Sequence, residues 1–185
     1  MRSFFASALE IFEIAFITVG AVILIRTFLV QPFLVSGDSM VPNFSNGDYL
    51  LVDELTYRLR APERGEVVVF HYPNDETTYF IKRFVGLPGE RVVVHSGQVT
   101  IYNKEHTEGL KLSESYLPPT TQTSGSVDVT LKDGEYFVLG DNRSFSFDSR
   151  MWGVLNKKEI VGVARLRLWP PASFRAFAAP QYSHP

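Results

Sequence analysis

The segment Thr78-Tyr79-Phe80-Ile81-Lys82-Arg83-Phe84-Val85 decides the fold class. Its aromatic and β-branched residues favour a strand. With a period of two, Phe80, Lys82 and Phe84 share one face, and Ile81, Arg83 and Val85 share the other. The same pattern recurs outward from it. Asp48–Asp53 (DYLLVD), Gly65–Phe70 (GEVVVF) and Val161–Leu168 (VGVARLRL) also read as strands. Arg91–His95 and Gln98–Tyr102 flank Ser96-Gly97, a hairpin signal, and Val127–Leu131 and Tyr136–Leu139 flank a second one at Lys132-Asp133-Gly134-Glu135. Seven or eight short strands with Gly and Pro turns, and no long amphipathic helix, predict an antiparallel β-domain.

The first part of the chain is built differently. Ile11–Leu34 reads IFEIAFITVGAVILIRTFLVQPFL, with only Glu13 and Arg26 charged. As a helix it would be about 36 Å long at roughly 1.5 Å per residue, enough to cross a hydrocarbon core of about 30 Å. Three readings fit it: a secretion signal cleaved near Val35-Ser36-Gly37, a buried core helix, or an uncleaved membrane anchor. A thin positive n-region (Arg2 alone) and the near absence of a polar face over Ala15–Ile25 favour the anchor. Arg26 then snorkels to an interface, and Arg2 favours an N-terminus inside the cell. Pro32 is expected to end the helical run. The organisation that follows is an anchor over 1–35, a β-rich domain over 36–170 with a polar surface excursion at about 103–126, and a Pro- and Ala-rich tail over 171–185 that frays.

Composition removes several function classes. The chain has 185 residues, 45% hydrophobic and 21% charged, with a net charge of −2, which gives no reason to expect a nucleic-acid partner. It has no cysteine, so thiolate nucleophiles, disulfides and Cys-based zinc sites are excluded. His71, His95, His106 and His184 lack the spacing of a shared metal face, no HExxH occurs, and no metal or other cofactor is expected. No phosphate-binding glycine motif occurs, and no serine sits in GxSxG.

A serine and a lysine remain, each in an unusual setting. Ser39 lies in Ser36-Gly37-Asp38-Ser39-Met40-Val41-Pro42, directly after the hydrophobic run. Lys82 is flanked on its strand face by two phenylalanines, and desolvation there lowers a lysine pKa. An uncharged amine can take the proton of a serine hydroxyl. Read alone, Ser39 is equally a polar turn residue, and Lys82 a snorkelling edge-strand residue. A third cluster, Gly140-Asp141-Asn142-Arg143-Ser144-Phe145-Ser146-Phe147-Asp148-Ser149-Arg150, packs aspartates, arginines and serines into one loop after a strand.

These three segments, in this order behind a hydrophobic anchor, resemble the bacterial type I signal peptidases, over about Ile11 to Trp169. The resemblance implies a membrane-bound Ser/Lys endopeptidase with a barrel-like β-domain. It would remove signal peptides from exported preproteins after small residues, Ala-x-Ala in type. It implies Ser39 as nucleophile, its own N–H as oxyanion donor, and Lys82 as general base. Ser146 would orient the amine, and the pairs Asp141 with Arg83 and Asp148 with Arg150 would brace the site. Phe33, Val35, Met40, Phe80 and Ile81 would line shallow substrate pockets. It further implies a single-pass protein of the cell membrane, with its catalytic domain outside, near the secretion translocon and the lipid bilayer. Three positions depart from the family pattern: Gly37 stands where some members carry a second oxyanion serine, Asn43 where threonine is usual, and Phe145 where a polar residue is usual. Two alternatives stay open: a Ser/Lys protease like the self-cleaving SOS repressors, which have a DNA-binding domain instead of an anchor, and a membrane-tethered β-module for binding or assembly.

Overall fold

Alternating side chains become strands where at least one pleat face finds apolar partners, and twelve strands form among the described residues. The computed structural model describes residues 10–20 and 30–180. In chain order they are a helix over residues 10–20 (α1), β1 (Val30–Leu34), β2 (Tyr49–Asp53), α2 (Thr56–Leu59), β3 (Val67–Tyr72), β4 (Asp75–Gly86), β5 (Arg91–His95), β6 (Gln98–Tyr102), β7 (Leu110–Lys111), β8 (Val127–Thr130), β9 (Glu135–Leu139), α3 (Ser149–Trp152), β10 (Leu155–Asn156), β11 (Ile160–Trp169) and β12 (Arg175–Ala176). Every pairing among them is antiparallel. One sheet runs β1-β2-β11-β3-β4-β9-β10, with β12 on β11, and the other runs β7-β6-β5-β8.

Val67–Phe70 is buried on both faces because β3 lies between β11 and β4. Three apolar clusters fill the interior. Val35, Met40, Phe44, Leu50, Val67 and Ala164 pack beneath the loop after β1. Val68, Phe70, Phe84, Tyr136, Val138 and Leu155 fill the centre of the large sheet. Val85, Val92, Val94, Val99, Ile101, Leu131, Phe137 and Leu139 join the two sheets. The large sheet curls, bringing the Phe33 ring of β1 within 5.2 Å of the Tyr79 ring of β4. This barrel-like closure brings near each other two edges that the strand order keeps apart.

Three expectations change. The hydrophobic run is not one helix to Leu34: Val30–Leu34 is a strand paired with β2 in the register Val30↔Asp53 to Leu34↔Tyr49. As the outermost strand β1 tolerates Pro32, which has no N–H to donate. Residues 21–29 of the expected anchor, and 1–9 before it, lie outside the described residues. Among the described residues no helix is long and apolar enough to cross a membrane. The turn at Lys132–Glu135 forms, with Glu135 N–H donating to Lys132 O at 3.1 Å, but it makes no hairpin. Leu131 is drawn into the core, and its N–H donates to Glu90 O at 2.7 Å, so β8 pairs with β5 while β9 pairs with β4. The excursion is tied to the small sheet: β7 pairs with β6, Thr123 bridges Gly97, and Leu117 and Thr123 are buried. The tail does not fray over 171–180. β12 extends the sheet on β11, and the Phe177 ring stacks on Phe44 with centroids 4.5 Å apart. Phe177→Ala is expected to lower unfolding free energy by about 2 kcal/mol, measured by urea denaturation. An unchanged midpoint would show that the tail adds nothing to the core.

Candidate active site

Ser39 sits between β1 and β2 on a turn pinned from both sides. Met40, 1% exposed, and Phe44, fully buried, anchor the backbone after it, and Asn43 and Phe44 N–H groups both donate to Met40 O. Before it, Gly37 adopts φ +91°, a conformation that L side chains rarely adopt, and its N–H donates to Asn46 Oδ1 at 3.0 Å. Lys82 arrives from β4, paired opposite Val68 of β3. Its Nζ lies 2.7 Å from Ser39 Oγ and 2.9 Å from Ile81 O, and 5.3 Å from the centroid of the Phe80 ring.

Lys82 is 3% exposed. Burial lowers its pKa to about 8, against the opposing pull of Asp148 and Asp141. Both carboxylates are already engaged. Asp141 accepts from Arg83 Nε at 2.8 Å and Nη2 at 2.6 Å, and Asp148 accepts from Arg150 Nε and Nη2 at 2.8 Å each. A carboxylate neutralised by its own guanidinium holds less charge on a nearby ammonium. An amine of this kind against a hydroxyl can act as a general base.

The loop after β9 closes the site from below. Gly140 N–H donates to Asp148 Oδ2 at 3.0 Å, Asn142 N–H donates to Ser39 O at 3.0 Å, and Asn142 Nδ2 donates to Asp38 O at 3.0 Å. A Cβ on Gly140 would lie 2.1 Å from Ser146 Oγ and 2.4 Å from Ser39 O, so only glycine fits. Sequence reasoning quoted Gly140 and Arg143 without assigning either a part. Arg143 is buried and donates from Nε to Gly140 O at 3.0 Å. Their signal was composition: a glycine and an arginine inside a loop already crowded with paired charges.

Ser146 and Met40 are held by other contacts. Ser146 Oγ makes no hydrogen bond to Lys82; it is buried without a partner, packed over Gly140. Met40 does not line a pocket. It belongs to the core, where its sulfur accepts from Asp141 N–H at 3.4 Å. The other expected wall residues, Phe33, Val35, Phe80 and Ile81, do line a groove of about 300 Å³ that also holds Ser39 and Lys82. Leu50, Val69, Tyr79, Phe145 and Phe147 also line it, without having been expected there. No group of His, Asp and Glu able to hold a metal occurs among the described residues.

The apolar groove ends at a hydroxyl beside a desolvated amine, a nucleophile-and-base arrangement, and comparison with known proteins gives the class as peptidases. Residues 8–169 match the family described as signal peptidase, peptidase S26. A probable signal peptidase I-2 of Synechocystis is 41% identical over 162 residues, covering 82% of this chain and 70% of that protein. A signal peptidase IB of Staphylococcus aureus is 30% identical over 172 residues, covering 86% of this chain and 89% of that protein. A crystal structure of a signal peptidase I from Enterococcus faecalis aligns over 56% of this chain and 97% of its own, at 29% identity and a TM-score of 0.47. On the family match and the sequence relatives, this chain belongs to the signal peptidase family, peptidase S26. Gly140→Ala should retain the fold and lose on the order of 10²-fold in turnover, because the added methyl pushes against the Ser39 carbonyl. Circular dichroism and peptide cleavage measured together check this, and normal turnover in the variant would refute it.

Proposed function

We propose that this protein removes signal peptides from exported preproteins as a Ser/Lys endopeptidase. The observation that supports it best is the 2.7 Å separation of Ser39 Oγ from an amine whose pKa is lowered to about 8. In the first step Ser39 Oγ attacks the scissile carbonyl while its proton passes to Lys82 Nζ. The Ser39 N–H donates to the oxyanion; losing one such donor costs on the order of 10²–10³ in kcat. The Lys82 ammonium then protonates the leaving amine, which departs as the new N-terminus of the mature chain. Water, deprotonated by Lys82, attacks the acyl-enzyme and releases the signal peptide as its carboxylate.

The groove supports an extended substrate. β1 is the last strand of its sheet, and β4 pairs with β9 only from Arg83 onward, so residues 30–34 and 75–82 each present an unpaired backbone edge. A peptide strand laid between them gains main-chain hydrogen bonds on both sides. Phe33, Val35, Phe80 and Ile81, with Leu50 and Val69 behind them, crowd the groove. Such walls accept a methyl and exclude larger side chains, in keeping with small residues before the cleaved bond. Supporting roles fall to Arg83, Asp141, Asp148 and Arg150, which hold the loop and keep the two carboxylates neutralised.

The catalytic domain belongs on the outer face of the cell membrane, anchored by the hydrophobic run that precedes β1. Leu34, Tyr49 and Trp169 stand in register across β1, β2 and β11 and are 66%, 40% and 59% exposed. Phe145, on the groove rim, is 81% exposed. This apolar row beside the groove fits the lipid interface, where a signal peptide emerges.

Two outcomes are expected. Ser39→Ala and Lys82→Met each abolish cleavage of a preprotein, and wild-type activity rises through pH about 8 to a plateau, because only the uncharged amine accepts the proton. Residual full activity in either variant, or an acid optimum, would remove the dyad, and an inert wild type would leave a tethered β-module. Separately, a fluorophore at position 169 or 145 should be quenched by shallow lipid-borne quenchers in vesicles. A label placed tens of ångströms above the bilayer (whose core spans about 30 Å) contradicts the membrane-facing site.

A further inference from the structure

None of the residues between 103 and 126 lines the groove, yet this segment supplies the counter-charge for the loop beneath Ser39. The Arg143 side chain is fully buried, and its one ion-pair partner among the described residues is Glu114. Arg143 Nη1 donates to Glu114 Oε2 at 2.7 Å and to Thr123 Oγ1, and Nη2 donates to Glu114 Oε1. Tyr116 Oη donates to the same carboxylate at 2.5 Å. From the far side of its guanidinium, Arg143 Nε donates to Gly140 O. Gly140 is the residue on which an added Cβ would lie 2.4 Å from the Ser39 carbonyl oxygen. The contacts run without a break from Glu114 through Arg143 and Gly140 to the serine.

We propose that Glu114 is a positioning residue for the peptidase reaction, and that the excursion carrying it is a brace that sets Ser39 against Lys82. This rests on the Ser/Lys reading of the site. A buried guanidinium cannot stay in place without its counter-charge. Released from Glu114, Arg143 turns away and frees the Gly140 carbonyl, and the floor under Ser39 loosens. A misplacement of about 1 Å at a reacting atom costs on the order of 10²-fold in rate. The same segment reaches the site by two further routes. Tyr116 O accepts from Asn43 Nδ2 at 2.8 Å, which also donates to Asp141 Oδ2 at 2.9 Å. Ser124 O accepts from Arg150 Nη1 at 3.0 Å. Glu114 lies outside the groove, so its loss acts on turnover and not on substrate capture.

The test is steady-state cleavage of a signal-peptide substrate by Glu114→Gln and by the double variant Glu114→Leu with Arg143→Met, each melted in parallel. Glu114→Gln should lower kcat on the order of 10²-fold with KM unchanged, at temperatures where the variant is folded. The double variant removes both charges together, so its melting temperature should recover toward wild type. Its kcat should stay low, since Gly140 O still lacks its donor. Recovery of both stability and kcat in the double variant makes the pair purely structural and overturns the proposal, as does a folded Glu114→Gln with normal kcat. Cleavage by Ser39→Ala would instead overturn the Ser/Lys reading on which the proposal stands.

Discussion

The site depends on keeping an amine out of water while leaving it next to a hydroxyl. Desolvation alone disfavours a charged lysine, but the negative charges of buried Asp141 and Asp148 work in the opposite direction. The fold resolves this by giving each carboxylate its own guanidinium, Arg83 for one and Arg150 for the other. Burial outweighs the pull of the two carboxylates, and the amine reaches a pKa of about 8.

The two sheets divide the labour. The large sheet carries Lys82 and Arg83 on adjacent positions of β4, and period-two geometry sends the amine to the serine and the guanidinium to Asp141. The small sheet presents no residue to the groove, but its long connection returns as the segment around Glu114 and Tyr116 and packs against the catalytic loop. Gly140, braced by Asp148 on its N–H and Arg143 on its carbonyl, is where the two halves meet.

Much of the local structure was legible. DYLLVD, GEVVVF, TYFIKRFV and VGVARLRL each became strands, and Ser96-Gly97 turned its hairpin with both residues at positive φ. What differed were the second hairpin and the end of the hydrophobic run, where pairing was settled by distant strands. Lys132–Glu135 forms its turn, yet the strands beside it join different sheets, because Leu131 gains more by entering the core between them. Val30–Leu34 looked like the end of a hydrophobic helix; an open β2 edge drew it into the sheet. Ser146 was assigned to the lysine by family resemblance, but its hydroxyl packs over Gly140, a placement no spacing could reveal.

The amino-acid sequence by itself determined that this chain is a cysteine-free, mainly antiparallel β-protein behind a hydrophobic segment, with a serine, a lysine and a charge-rich loop as its reactive inventory. Periodicity and composition act over a few residues, and those facts are local. Only tertiary structure decided that Ser39 and Lys82 touch across 43 residues, that Arg83 meets Asp141 across 58, and that Arg143 finds Glu114 across 29. Such contacts follow from sheet curvature and core packing, which depend on the whole chain at once.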